Sequence, residues 1–122
     1  TLIVDDERLA RRRLAQLLAA EQDMEVVGEC ASGHEAVAAI REQAPDLVFL
    51  DIGMPGATGY DVARAMRERQ GKDVTLVALT GWGQEADRRR SMEAGFDYHL
   101  TKPVDPQDLN DLLVQVKSGR AA

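Results

Sequence analysis

Short apolar runs alternate with longer amphipathic segments five times along this chain. Leu2, Ile3 and Val4 open it; the stretch Met24 to Cys30, the run Leu47 to Leu50, the run Val74 to Leu79 and a last run to about Leu100 follow. The run at 47–50 shows no polar alternation, which suits a central parallel strand covered on both faces. Strands alternating with helical patterns predict βαβ units around a parallel sheet, hence an α/β fold.

The first helix is predicted over about residues 7–20, with Leu14, Leu17 and Leu18 on one face and Arg11, Arg12 and Arg13 as a solvated face outside it. Ser32, Gly33, His34 and Glu35 match a capping box that opens a second helix, carrying Ala36, Val37 and Ile40 inward and leaving His34 solvated. Pro45 ends that helix. Residues 53–59 hold three glycines and a proline, a turn-rich loop before a helix with Val62, Ala63 and Met66. The helix over about 84–94 has few apolar positions and should be the least firmly anchored. Gly95 suits the left-handed residue past its end. Asp105 and Pro106 give an N-cap and first helical position for a last helix striped by Leu109, Leu112, Leu113 and Val116. Five strands and five helices result.

At 122 residues and 44% hydrophobic content, one domain with one core is expected, over residues 1–118, with 119–122 as a tail or the start of a linker. Thr1 begins a strand without a leading Met, so the chain reads as excised from a longer protein. A formal charge of −6 opposes binding to phosphate backbones, which disfavours nucleic acid as a direct partner. Cys30 is the single cysteine, so no intrachain disulfide forms, and a buried thiol that fills space fits a reducing cytoplasm. No stretch has the roughly 20 apolar residues of a membrane span, and no signal peptide is visible.

Polar residues stand where the apolar runs stop: Asp5 and Asp6 after the first, Asp51 after the third, Thr80 after the fourth and Lys102 after the fifth. In parallel neighbouring strands those ends share one sheet edge, where open α/β sheets place their ligands. Three carboxylates together repel, and a divalent cation removes the conflict. Mg²⁺ is the natural candidate, with Mn²⁺ as an alternative, because it takes oxygen ligands and pairs with phosphorylated substrates. Asp51, alone at the end of the central strand, is the best nucleophile for an aspartyl phosphate, with Asp5 and Asp6 holding the metal. The metal, Lys102 and the Thr80 hydroxyl would share the charge of the transferred oxygens.

Asp5-Asp6, Asp51-Ile52-Gly53-Met54-Pro55, Thr80-Gly81 and Lys102-Pro103, in this order, resemble the receiver domain of two-component response regulators over essentially the whole chain. The resemblance implies a flavodoxin-like, doubly wound five-stranded sheet in the order 2-1-3-4-5. It implies phosphorylation of Asp51 by a histidine kinase or histidine phosphotransfer protein, and self-catalysed hydrolysis, so a signalling domain rather than an enzyme acting on a separate substrate. It also implies Mg²⁺ on Asp6, Asp51 and the Gly53 carbonyl, with Asp5 reaching it through water, and phosphoryl binding by Lys102, Thr80 and Gly81. The peptide before Pro103 should be cis, aiming Lys102 at the phosphoryl group. Added phosphoryl charge would pull Thr80 and shift the surface formed by the helix at 84–94, the fifth strand and the last helix, with a homodimer as one outcome.

Some positions depart from the family. His99 stands where receivers carry Tyr or Phe as the partner of the threonine, so it is either a switching residue or simply half exposed. Gly53 and Trp82 flank the phosphoryl position; the glycine leaves water access open, while the indole either screens it or packs on the loop surface. The region around Arg11–Arg13 and Val26–Glu29 is similar to receivers joined to DNA-binding output domains. Residues 79–83 and 96–100 are more similar to receivers of hybrid histidine kinases, and being beside the switch they weigh more, favouring a hybrid-kinase or stand-alone context. Two enzymes or carriers compete. A flavodoxin-like FMN carrier is disfavoured by Asp5, Asp6 and Glu7 facing an anion. A haloacid-dehalogenase-like phosphatase would want a second Asp two positions past its nucleophile, where this chain has Gly53 or Glu7. The third rival is a receiver fold that serves only as an interaction module.

Overall fold

The structure is a computed structural model that describes residues 1–21, 24–53, 59–70, 74–81 and 94–121. Strands β1 (Leu2–Val4), β2 (Gly28–Cys30), β3 (Leu47–Asp51), β4 (Thr75–Thr80) and β5 (Tyr98–Thr101) form one parallel sheet. Their order is β2-β1-β3-β4-β5, the flavodoxin-like order. Among the described residues four helices accompany it: α1 (Arg8–Ala19), α2 (Gly33–Gln43), α3 (Gly59–Gln70) and α4 (Pro106–Ala121). The helix expected at 84–94 lies outside the described residues except for Ala94, which is buried in the core.

The sheet divides two apolar layers, and the period of two along each strand explains how. Leu2, Val4, Val48 and Leu50 pack with Ala36, Ile40, Val62 and Met66 on one face, while Ile3, Phe49, Val77 and Leu79 pack with Leu14, Leu18, Leu109 and Leu113 on the other. Both faces are covered, which is why the central strands read as unbroken apolar runs. Chain order reverses between β1 and β3, so the crevice for a ligand opens at their carboxyl ends.

Four local readings change. The strand expected over 24–30 is confined to Gly28–Cys30, where it pairs with Leu2–Val4; ahead of it the Val27 N–H donates to the Thr1 carbonyl and the Thr1 amino group to the Glu25 carbonyl, both at 2.8 Å. The capping box forms with a shift: Ser32 Oγ accepts from the Glu35 N–H at 3.2 Å, but the Glu35 carboxylate accepts from Ala31 rather than from Ser32. α4 continues to Ala121, through residues 119–121 that read as tail. Finally, the arginine face of α1 is not merely solvated, since Arg11 and Arg13 both bind backbone carbonyls of loops at the sheet edge.

Candidate functional site

Parallel register brings the polar strand ends together. Val4 lies beside Leu50, Asp51 beside Leu79, and Thr80 beside Thr101, so Asp5, Asp6, Asp51, Thr80 and Lys102 all emerge at one edge.

Asp5 is 1% exposed and is held from four sides. Its N–H donates to the Cys30 carbonyl at 3.0 Å, and its own carbonyl accepts from Arg11 Nη1 at 2.6 Å. Its carboxylate accepts from the Glu7 N–H at 2.9 Å and from Lys102 Nζ at 2.7 Å. Asp51 is also buried; Oδ1 accepts from the Gly53 N–H at 2.9 Å and Oδ2 lies 3.4 Å from Lys102 Nζ. Asp6 is exposed, with a carboxylate oxygen within 4.8 Å of those of Asp5 and Asp51. Asp5 and Asp51 therefore share one ammonium, Glu7 approaches that ammonium to 4.0 Å, and Asp6 adds a third carboxylate to the cluster.

Burial pushes the Asp51 carboxyl up to about 6; the Gly53 amide opposes the rise, the Asp5 charge adds to it and Lys102 lowers it. For Lys102 burial disfavours the charge, but the hydrogen bond to Asp5 and the charges of Asp51, Asp5 and Glu7 together outweigh it and hold the ammonium above its usual value. A carboxylate that is costly to keep ionised, beside two more and too few cations, is a donor set that fits a hard divalent ion.

Thr80 is buried, and its hydroxyl donates to the Leu100 carbonyl at 3.4 Å, toward β5. The Thr80 carbonyl accepts from the Lys102 N–H at 2.7 Å, so the two strand ends are tied by backbone. The Lys102–Pro103 peptide is cis. His99 is half-buried on β5, paired with Ala78 of β4. Gly53 and Gly81 line a cavity of about 600 Å³ with the three aspartates and Lys102, and the cavity extends over Leu9, Ala10, Pro103 and Val104. Trp82 lies outside the described residues.

Sequence reasoning missed three supporting residues. A Cβ on Gly59 would stand 2.6 Å from both the Asp51 carbonyl oxygen and the Ile52 Cα, so α3 can start against this backbone only with glycine there. The third glycine of the turn-rich loop, placed directly before an apolar helix, was the available signal. Arg11 and Arg13 are the others, and a basic run carries no mark of which guanidinium turns inward. Cys30 is buried, burial pushes its thiol up to about 11, and its carbonyl accepts from the Asp5 N–H.

The family model for the response regulator receiver domain matches residues 1–114. The chain belongs to this family. The transcriptional regulatory protein ResD of Bacillus subtilis is 39% identical over 108 residues, 88% of this chain and 43% of that protein. The transcriptional regulatory protein BtsR of Salmonella typhi is 38% identical over 120 residues, 98% of this chain and 48% of that protein. The chain thus spans about half the length of these curated relatives. Among solved structures, the receiver domain of AraT, a response regulator from Geobacillus stearothermophilus, superposes with a TM-score of 0.89 at 29% identity, covering 98% of this chain and 93% of that one. This receiver is a phosphoacceptor domain of two-component signalling, and its acidic cluster can hold a metal ion. No helix among the described residues is long and apolar enough to cross a membrane.

Proposed function

We propose that Asp51 is the phosphoacceptor of this receiver and that Mg²⁺ is held by Asp6, Asp51 and the Gly53 carbonyl, with Asp5 acting through water. The observation that carries this reading is the cluster of three carboxylates at one sheet edge, two of them buried and sharing one ammonium, with the Asp51 carboxyl raised. The Asp5 carboxylate already accepts from Glu7 and Lys102, which favours Asp6 and Asp51 as direct ligands.

In the reaction an Asp51 oxygen bonds to the phosphorus of a phosphohistidine on a histidine kinase or phosphotransfer protein as the phosphorus–nitrogen bond breaks, and the imidazole leaves with the electron pair. Bound Mg²⁺ would neutralise charge on the phosphoryl oxygens. Lys102 Nζ, 3.4 Å from Asp51, is placed to meet a transferred oxygen. Thr80 exchanges its 3.4 Å bond to the Leu100 carbonyl for a phosphoryl oxygen and moves the loop it begins. That motion reaches the surface of residues 84–94, β5 and α4, with His99 as the β5 residue that responds. Water later cleaves the acyl phosphate with help from the same groups, Gly53 and Trp82 modulating access.

ResD and BtsR are transcriptional regulatory proteins by name, which favours a cytoplasmic receiver that feeds a transcriptional output over the hybrid-kinase context that residues 79–83 and 96–100 suggest. The test is Mg²⁺-dependent modification by acetyl phosphate, read by intact-mass spectrometry, in parent and Asp51→Asn. The parent should gain one phosphoryl group and the variant none. Equal behaviour of the two would replace this reading with an interaction module.

A further inference from the structure

Arg11 and Arg13 lie two residues apart on α1, and each binds the backbone of a different site loop. Arg11 Nη1 donates to the Asp5 carbonyl at 2.6 Å, and its Nε lies 3.6 Å from the Glu29 carboxylate on β2. Its side chain is 15% exposed, so the guanidinium is committed to these partners rather than to water. Arg13 Nη2 donates to the Val104 carbonyl at 3.0 Å, across a sequence separation of 91 residues. Val104 is two residues past Lys102, and Lys102 Nζ donates back to the Asp5 carboxylate at 2.7 Å.

These bonds close a ring: α1, Arg11, Asp5, Lys102, Val104, Arg13 and α1 again. The acidic loop after β1 and the ammonium loop after β5 are not hydrogen-bonded strand neighbours, because β3 and β4 stand between β1 and β5 in the sheet. The sheet ladder alone therefore does not set the spacing of Asp5 from Lys102. Helix α1 spans that gap, and its two arginines hold both loops by carbonyl oxygens. Guanidinium suits this because a charged, planar donor set makes directional bonds to carbonyls that lysine cannot duplicate.

We infer that Arg11 and Arg13 are positioning residues of the phosphoryl site: they set the separation of the Asp5–Asp6 loop from Lys102, and through it both metal affinity and the rate of phosphoryl transfer. Neither residue touches the reacting atoms. The inference rests on the reading of Asp51 as phosphoacceptor, and it adds a helix strap to that site.

The test uses the 122-residue chain and its Arg11→Met, Arg11→Lys and Arg13→Met variants. Mg²⁺ affinity is measured by calorimetry, and acetyl phosphate kinetics are resolved into half-saturation and maximum rate. Leu113→Ala, which thins the apolar layer under α4, supplies a destabilised control with the strap intact. Arg11→Met should weaken Mg²⁺ binding about fivefold or more and lower the maximum rate about tenfold, with Arg13→Met smaller in both and Arg11→Lys between parent and Arg11→Met. The control should unfold more easily yet keep parental affinity and rate. If Arg11→Met does not fold, Arg11→Lys carries the comparison. Parental affinity and rate in the arginine variants, or losses in Leu113→Ala that match theirs, overturn the strap while leaving Asp51 in place. A parent that takes up no phosphoryl group, or an Asp51→Asn variant that equals it, removes the underlying reading and the strap with it.

Discussion

Two clusters of charge in this receiver are built in opposite ways. Near the starting ends of β4 and β5, Arg67 donates to the Gly95 carbonyl through Nε and Nη2, to the Val74 carbonyl through Nη1, and to the Asp97 carboxylate at 2.7 Å. Asp97 also accepts from the Leu76 N–H at 2.9 Å. Among the described residues, this cation meets one carboxylate and its other donors meet carbonyls. At the finishing ends of the strands three carboxylates cluster, and two of them, Asp5 and Asp51, share Lys102. A cluster balanced within the chain locks structure, whereas an unbalanced one costs folding energy until something from outside, a cation or a phosphoryl-bearing partner, completes it.

The largest way to test that difference is to neutralise the acceptor. Asp51 sits at about 6 against an ordinary 3.8, so the folded, metal-free chain holds its proton more tightly than the unfolded chain does. That contribution to stability is fully present below about pH 4 and is lost as pH rises through about 6. The uncharged carboxamide introduced by Asp51→Asn mimics the protonated carboxyl. This variant should therefore match the parent near pH 4 and exceed it by about 3 kcal/mol above pH 7, in denaturant unfolding without Mg²⁺. A variant less stable than the parent at pH 8 would show that the edge is as balanced as the Arg67 cluster.

Removing the shared cation should act in the other direction. Lys102→Met leaves Asp5, 1% exposed, with the Glu7 amide but without its ammonium, and a loss of about 2 kcal/mol at pH 7.5 is expected in the metal-free chain. With the positive charge gone, Mg²⁺ should then raise the unfolding midpoint by more than it does in the parent. An unchanged Mg²⁺ increment would separate the cation site from Lys102.

How much of this was legible beforehand depends on what kind of group does the work. The strands were readable because β3 and β4 are covered on both faces, and the parallel arrangement then forced Asp51, Thr80 and Lys102 to a common edge. Adjacent residues at a strand end point apart, which foretells that one of Asp5 and Asp6 is buried but not which one. The arginine contacts were unreadable for a sharper reason: the acceptors are the carbonyls of Asp5, Val104, Val74 and Gly95, and a carbonyl has no residue-type signature. The short β2 was hidden because the apolar residues Met24, Val26 and Val27 lie ahead of the three ladder pairs that define it, and apolar character does not mark where a ladder starts. Residues 119–122 read as a tail, yet a single glycine costs a helix only about 1 kcal/mol, and α4 passes through Gly119.

The balanced cluster gives the smallest and most selective effect. Asp97 keeps 44% of its side chain in water, so the ion pair itself adds little, and most of the loss in Arg67→Met comes from the carbonyls of Val74 and Gly95. Water can reach part of this region, which places the expected destabilisation near about 1.5 kcal/mol rather than at the cost of a fully buried pair. Gly95 sharpens the point, because its φ of 105° and the 2.7 Å approach of Arg67 Cγ to where a Cβ would stand mean that the arginine packs on the turn as well as bonding to it. The gain in unfolding midpoint on adding Mg²⁺ should be the same in Arg67→Met as in the parent, since this cluster closes its charge without help. A Mg²⁺ increment that fell with Arg67→Met would mean that the two clusters are coupled through β4, whose far end is Thr80.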